Sequence, residues 1–319
     1  MTRMIALALV LLAAAMAVSA VASWISRRKP RRALGTGTAS AVASRQAEDR
    51  AMLAAQVRAV GSLVFAVVMF LALFRASIGL TGQVGLPLAL TAGLSASGGL
   101  LLYSTLPVAK QQVAKQPFGT GGSGAGLPRN PWAFASRWAL ALPAVVLLVY
   151  IAFIVAAGLT SSPDELGRYR MLRLENADVS AAASPYPGWF YGLPLLVVAV
   201  LMAGSALLAL VRVSRSPSLP DPRMAALDRR WREISIRALL RITTGALLGY
   251  LGGIALVAGQ AMANAGKSFE SVQGWGVAIA AVGAALALAG VVLLVMAARD
   301  ALTIRTTARQ SKPEPAAAP

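Results

Sequence analysis

WGVAIAAVGAALALAGVVLLVMAA, residues Trp275–Ala298, is the stretch whose reading decides the fold. It contains no Asp, Glu, Lys or Arg. Wound as an α-helix at about 1.5 Å per residue it reaches about 36 Å, more than the roughly 30 Å of a bilayer's hydrocarbon core. Six further runs share these properties: Met4–Ile25, Ala59–Phe74, Leu86–Val108, Trp138–Leu159, Trp189–Val211 and Ile242–Gln260, all free of charged side chains. A charge at mid-span costs about 2.5–3.5 kcal/mol on the insertion scale, so each run is suited to insertion. The shortest, Ala59–Phe74, extends past Arg75 toward Leu80 if that arginine snorkels to the interface.

Composition agrees with this reading. Hydrophobic residues make up 57% of the 319-residue chain and charged residues 13%, against about 25% charged in a soluble domain. Too little polar side chain is present to coat a water-facing surface. The expected fold class is therefore all-α: a polytopic integral membrane protein, a bundle of about seven transmembrane helices. Its Ala-, Val-, Leu- and Arg-heavy usage resembles that of GC-rich bacterial coding.

Charge sets the expected orientation. The net charge of +18 is distributed unevenly over the loops. With the N-terminus outside, 24 of the 30 basic residues fall in inner regions and six in outer ones, the asymmetry of the positive-inside rule. The expected address is the plasma membrane, multi-pass, with the C-terminus cytoplasmic. The first run could be a cleaved signal peptide, since Val18-Ser19-Ala20 is a small-residue pattern. The basic cluster Arg27-Arg28-Lys29-Pro30-Arg31-Arg32 directly after it favours an uncleaved anchor. Trp24, Trp132, Trp138, Trp189, Trp231 and Trp275 all fall near expected span ends, where an indole meets apolar and wet surroundings together.

The expected organisation runs from an N-terminal anchor (1–26) through a basic cytoplasmic segment (27–58) to a transmembrane hairpin (59–108) closed by the short link Thr81–Gly85. A Gly-rich cytoplasmic linker (109–137) follows, containing Gly119–Gly126. Spans four and five (138–211) flank the outer loop 160–188. A basic cytoplasmic loop (212–241) leads to a second hairpin (242–298) and a disordered cytoplasmic tail (299–319) ending Lys312–Pro319. Neither a sequence repeat nor loop symmetry suggests an inverted-repeat transporter.

Four constellations invite a chemical reading. Asp221-Pro222 is an N-cap followed by a first-turn proline, and Met224, Leu227, Trp231 and Ile234 recur at helical spacing after it. With Arg223, Arg229, Arg230, Arg232 and Arg237 around the remainder, the segment reads as an interfacial helix over Pro222–Arg237. Arg223, Arg229, Arg230, Trp231, Arg232 and Arg237 are thus candidate contacts to anionic headgroups or an acidic partner; the alternative is an anchor that only sets topology. Arg45–Arg58 is a weaker version. Gly276, Gly283 and Gly290 in the last run, and Gly245, Gly249 and Gly252 in the run before, are spaced for close helix packing, either of these two helices on each other or as a dimer seam. Thr91, Ser95, Ser97, Ser104 and Thr105 make Leu86–Val108 rich in hydroxyls, which line a cavity or bond back to their own helix. In the outer loop Asp164, Glu165, Glu175 and Asp178 alternate with Arg168, Arg170 and Arg173, a pattern read as a solvated surface helix.

The absence of His and Cys removes whole classes of chemistry: disulfides, thiolate or histidine metal sites, and His- or Cys-dependent nucleophilic catalysis. No lysine stands in the last span to form a retinal Schiff base, and no ionisable residue lies at depth for ion coupling. No catalytic, cofactor or metal residue is therefore expected, and the basic charge is read as an inner membrane face, with no nucleic-acid partner. The expected function is a non-catalytic membrane subunit or scaffold, with the lipid bilayer, anionic headgroups on the cytoplasmic face and a membrane protein as partners. The alternative is an uncoupled permease or channel component for a neutral or lipidic substrate.

Overall fold

A computed structural model describes residues 39–77, 86–106, 134–177, 179–215 and 225–310. The expected anchor Met4–Ile25, the basic run behind it, the Thr81–Gly85 link, the Gly119–Gly126 linker, Arg223 in its capped turn and the tail Lys312–Pro319 lie outside these residues. The described chain forms six α-helices: α1 Ala39–Ser77, α2 Leu86–Thr105, α3 Arg137–Leu159, α4 Trp189–Ser214, α5 Ala225–Ala265 and α6 Glu270–Gln310. A small sheet of β1 Ser162–Pro163, β2 Tyr169–Glu175 and β3 Ser180–Ala183 joins α3 to α4.

Helices alternate in direction. α5 and α6 form a long hairpin through a 3-10 turn at Gly266–Ser268, α2 packs between α1 and α4, α3 lies against α4 and α5, and α1 reaches α6. Tyr150, Ile154, Met202, Ala209, Val213, Ile236 and Leu247 fill the shared core. Local signals fix the ends: the Ser136 hydroxyl accepts the Ala139 N–H at 3.2 Å and so caps α3.

All six helices are long and apolar enough to cross a membrane, and burial sorts them. The apolar window of α6 has a mean hydropathy of 2.7, yet only 11% of it is buried, and that of α3 has 2.8 with 17% buried. Val277, Val282, Leu288, Val291 and Val295 face outward from α6. Soluble monomers rarely expose so many large apolar side chains on one helix, and this exposure is compatible with a helix facing lipid. α2 is the reverse, at mean hydropathy 1.4 with 56% buried: Thr91, Ser95, Ser97, Ser104 and its three glycines face protein, while Thr105 at its end is exposed.

The structure departs from expectation in two ways. First, the divisions at 58/59, 241/242 and 298/299 mark changes of composition and no break in structure. α1, α5 and α6 run 39, 41 and 41 residues without interruption. No Gly or Pro occurs in 39–60, 225–244 or 291–310, so nothing stops the i→i−4 ladder where the apolar run ends. The segment from Ala225 to Arg237 is thus the opening of α5 and no separate in-plane helix, and 299–310 is helical where a disordered tail was expected. Second, the stretch between α3 and α4, expected as a solvated surface helix in an outer loop, carries a three-stranded antiparallel sheet. Leu172 and Leu174 alternate with exposed Arg173 and Glu175, the two-residue period of a strand, and pack with Ala183 and Tyr186 on Ala258, Ala261 and Ala265 of α5. The register pairs Leu172 with Ala183 and Glu175 with Ser180.

Candidate functional site

Two arginines are buried at the bundle end opposite the sheet. Arg232 is 2% exposed. Its Nη1 donates to the carbonyls of Val213 and Ser214, both at 3.0 Å, and its guanidinium stands 5.8 Å from the ring centres of Phe134 and Trp231. These carbonyls end α4, where the helix dipole is negative and the last C=O groups lack intrahelical donors. A planar, always-charged fork suits that position better than lysine. Arg232 and Trp231 are therefore removed from the headgroup-contact set: both are buried in protein, because α5 turns this face toward α4 and Phe134. Arg229 and Arg230 share Glu233, at 3.0 and 3.5 Å, and Arg229 and Arg237 are exposed.

Arg58, the second buried arginine, closes the Arg45–Arg58 segment expected from sequence to be a weaker interfacial helix. It is 3% exposed. Its Nε donates to the Tyr103 carbonyl at 2.5 Å near the end of α2, and its guanidinium lies 4.2 Å from the centre of the Tyr103 ring. Nη1 and Nη2 have no hydrogen-bond partner. Nothing in the sequence beyond its place at the edge of an apolar run signals this burial.

The glycine residues bring α5 and α6 into backbone contact. A Cβ on Gly252 would stand 2.5 Å from the Gly283 carbonyl oxygen, one on Gly290 2.6 Å from that of Gly245, and one on Gly276 2.8 Å from that of Gly259. The backbone of Gly249 lies in the same seam, 2.8 Å from where a Cβ on Gly290 would stand, although its own Cβ direction is open. Gly259, which the sequence spacing left out, is as tightly placed as the others, at 2.5 Å from Gly276 O.

In α2 each hydroxyl turns to its own backbone: Thr91 to Leu88 O, Ser95 to Thr91 O, Ser97 to Gly93 O, Ser104 to Leu101 O and Thr105 to Leu102 O. Gly93 has a separate reason to lack a side chain, because the Tyr250 hydroxyl occupies that space while donating to the Ala89 carbonyl. Ser95 does border a cavity of about 340 Å³ between α1, α2, α5 and α6, but Ser97 and Ser104 do not. The cavity walls are apolar apart from Ser62, Ser95, Tyr103 and Ser235, so this cavity does not follow the hydroxyl stripe.

At the sheet, Asp164 organises its turn. Its Oδ1 accepts the N–H groups of Leu166 and Arg168 at 2.9 and 2.8 Å, and its Oδ2 accepts Arg170 Nε at 2.5 Å. Burial pushes this carboxyl up, but the Arg168 amide, the Arg170 side chain and the Leu166 amide together hold it below the ordinary carboxylate range. Arg170 is pushed up, first by its hydrogen bond to Tyr191 and then by Asp164. Gly167 closes the turn at φ 73°, a left-handed conformation that favours glycine. The pair fixes a fold element and leaves no free acid–base couple. Glu165 and Glu175 are exposed, and Asp178 lies outside the described residues. Among the described residues no three His, Cys, Asp or Glu side chains converge to hold a metal ion.

No protein-family model, no curated protein and no solved structure matches this chain.

Proposed function

We propose that the chain is a multi-pass protein of the plasma membrane, cytoplasmic at the arginine-rich end, and that it serves there as a non-catalytic subunit or scaffold. One observation carries this reading. α1, α5 and α6 continue beyond their apolar stretches at the same end of the bundle, and they do so tied together. Gln56 Nε2 donates to the Leu302 carbonyl at 3.1 Å, and Arg241 pairs with Asp300 at 2.5 Å. At 41 residues α6 spans about 62 Å, about twice a hydrocarbon core. Such a joined helical extension presents a fixed surface, in which Arg241 holds Asp300, Arg229 and Arg230 hold Glu233, and Arg232 holds the end of α4. Arg229, Arg230 and Arg237 sit where anionic headgroups and an acidic partner surface would meet them, each worth about 1 kcal/mol near such lipid.

Solubilising native membranes and purifying the tagged chain tests the scaffold role. The expected result is a stoichiometric membrane partner that is lost in the Arg229→Glu, Arg237→Glu double variant. A chain that purifies alone, with its phenotype intact when both arginines are reversed, would overturn it. The cavity favours a second reading, an uncoupled permease or channel component. Its apolar walls favour a lipidic over a neutral polar substrate, and proteoliposomes loaded with small neutral solutes should show no leak above lipid alone.

A further inference from the structure

We propose that the cavity between α1, α2, α5 and α6 binds one acyl chain of an anionic membrane phospholipid, whose ester carbonyl accepts a hydrogen bond from Ser235 Oγ. The shape comes first. Lining residues run from Ala59 to Phe70 on α1 and from Tyr103 to Ala92 on α2, eleven steps on each helix and so about 16 Å. Over that length the cavity holds about 340 Å³, and it opens sideways along the helices past exposed Val67, Ala92 and Leu294, as a site filled from the surrounding acyl chains would. The volume falls within the roughly 300–1,000 Å³ of small-molecule sites, and an apolar cavity less than half this size already takes up a hydrocarbon in preference to water.

Polarity then orients the ligand. Ser235 lines the cavity, is 2% exposed, and its Oγ has no hydrogen-bond partner. This distinguishes it from the α2 hydroxyls, which are all satisfied by their own helix. A buried unpaired hydroxyl is costly, and an ester oxygen at that end relieves it. Ser235 and Tyr103 belong to the arginine-rich end, and the Arg58 guanidinium, with two unpartnered nitrogens, lies over the same Tyr103 ring. This positive charge favours an anionic headgroup. Phe70 and Leu294 stand toward the other end, where only methylenes need be met. The site goes beyond the scaffold reading and does not depend on it; only the source of the lipid rests on the membrane reading.

The test uses the full chain in detergent with phosphatidylglycerol carrying a photoreactive group near the end of one acyl chain. Labelling is expected at saturable, one-to-one stoichiometry, on peptides holding Leu63–Phe70 or Leu294. Ala96→Phe, which fills the cavity from α2, should reduce it at least about tenfold while the thermal midpoint is retained. Ala238→Leu fills it from α5 and supplies the same readout if Ala96→Phe does not fold. Ser235→Ala should weaken binding about fivefold, the loss of one hydrogen bond, and phosphatidylcholine should compete less well than phosphatidylglycerol. Labelling spread over the outward face of α6, or unchanged by both filling variants, would overturn the site. Equal competition by the two lipids would overturn the anionic assignment. A cysteine pair between position 96 and the 4–25 run that closes readily would give the cavity to the chain itself.

Discussion

At the scale of single residues, the buried arginine Arg232 has the clearest consequence. Removing the guanidinium takes a charged, buried donor away from the Val213 and Ser214 carbonyls at the end of α4. Arg232→Met should therefore lower stability by about 2–3 kcal/mol, read by thermal or denaturant unfolding in detergent. Arg232→Lys should fall between, because one ammonium keeps the charge but not the fork. Arg229→Met on the exposed side of the same turn should be close to neutral; equal effects at 229 and 232 would contradict the capping role. Asp164 gives a pH prediction. Its folded pKa lies below the ordinary carboxylate value, so it contributes stability above about pH 4 that is lost as pH falls through the folded pKa. Amide exchange at Leu166 and Arg168 should stay slow to about pH 4 and quicken below it, and Asp164→Asn should remove that dependence. Neither role was legible in the sequence. What Arg232 does depends on carbonyls 18 and 19 positions away, and no local pattern separates it from Arg229 or Arg230, which stay with Glu233.

At the scale of elements, the apolar runs were legible and the helix ends were not. Five of the seven runs lie within described helices and a sixth, Leu86–Val108, begins with α2 and passes its end at Thr105, because length and absence of charge alone mark them. The expected ends stand where charge begins, whereas α5 continues to Ala265, at the 3-10 turn, and α6 runs on to Gln310. The sheet was hidden differently. Four acids and three arginines in 160–188 suggested solvent, yet Leu172 and Leu174 at alternate positions and the Asp164–Gly167 turn carried a hairpin signal. The α5–α6 seam offers a sharp contrast between neighbours. Gly252→Ala should destabilise by about 1–3 kcal/mol through overpacking against Gly283. Gly253→Ala meets nothing within 4 Å and should be neutral or stabilise by up to about 1 kcal/mol from helix propensity. Unfolding of both variants in one detergent decides it, and a reversal of their order would show that the two helices do not meet along this seam.

At the scale of the whole molecule, the account rests on one vertical order: sheet at one face, outward-facing apolar helices between, and the joined ends of α1, α5 and α6 at the other. The outward positions Trp138 and Trp275, at 87% and 69% exposure, lie near opposite ends of this order, as interfacial indoles do. The chain contains no native Cys, so single cysteines report sidedness directly. Ser161 is a poor position, since it is buried with its hydroxyl on the Gly158 carbonyl; exposed Glu165 in the sheet turn and exposed Arg229 on α5 are better. With a membrane-impermeant maleimide on intact cells, Glu165→Cys should label at once and Arg229→Cys only after the membrane is opened. Labelling of Arg229→Cys in intact cells with Glu165→Cys protected, or of both alike, would contradict the arrangement from which the rest of the account follows.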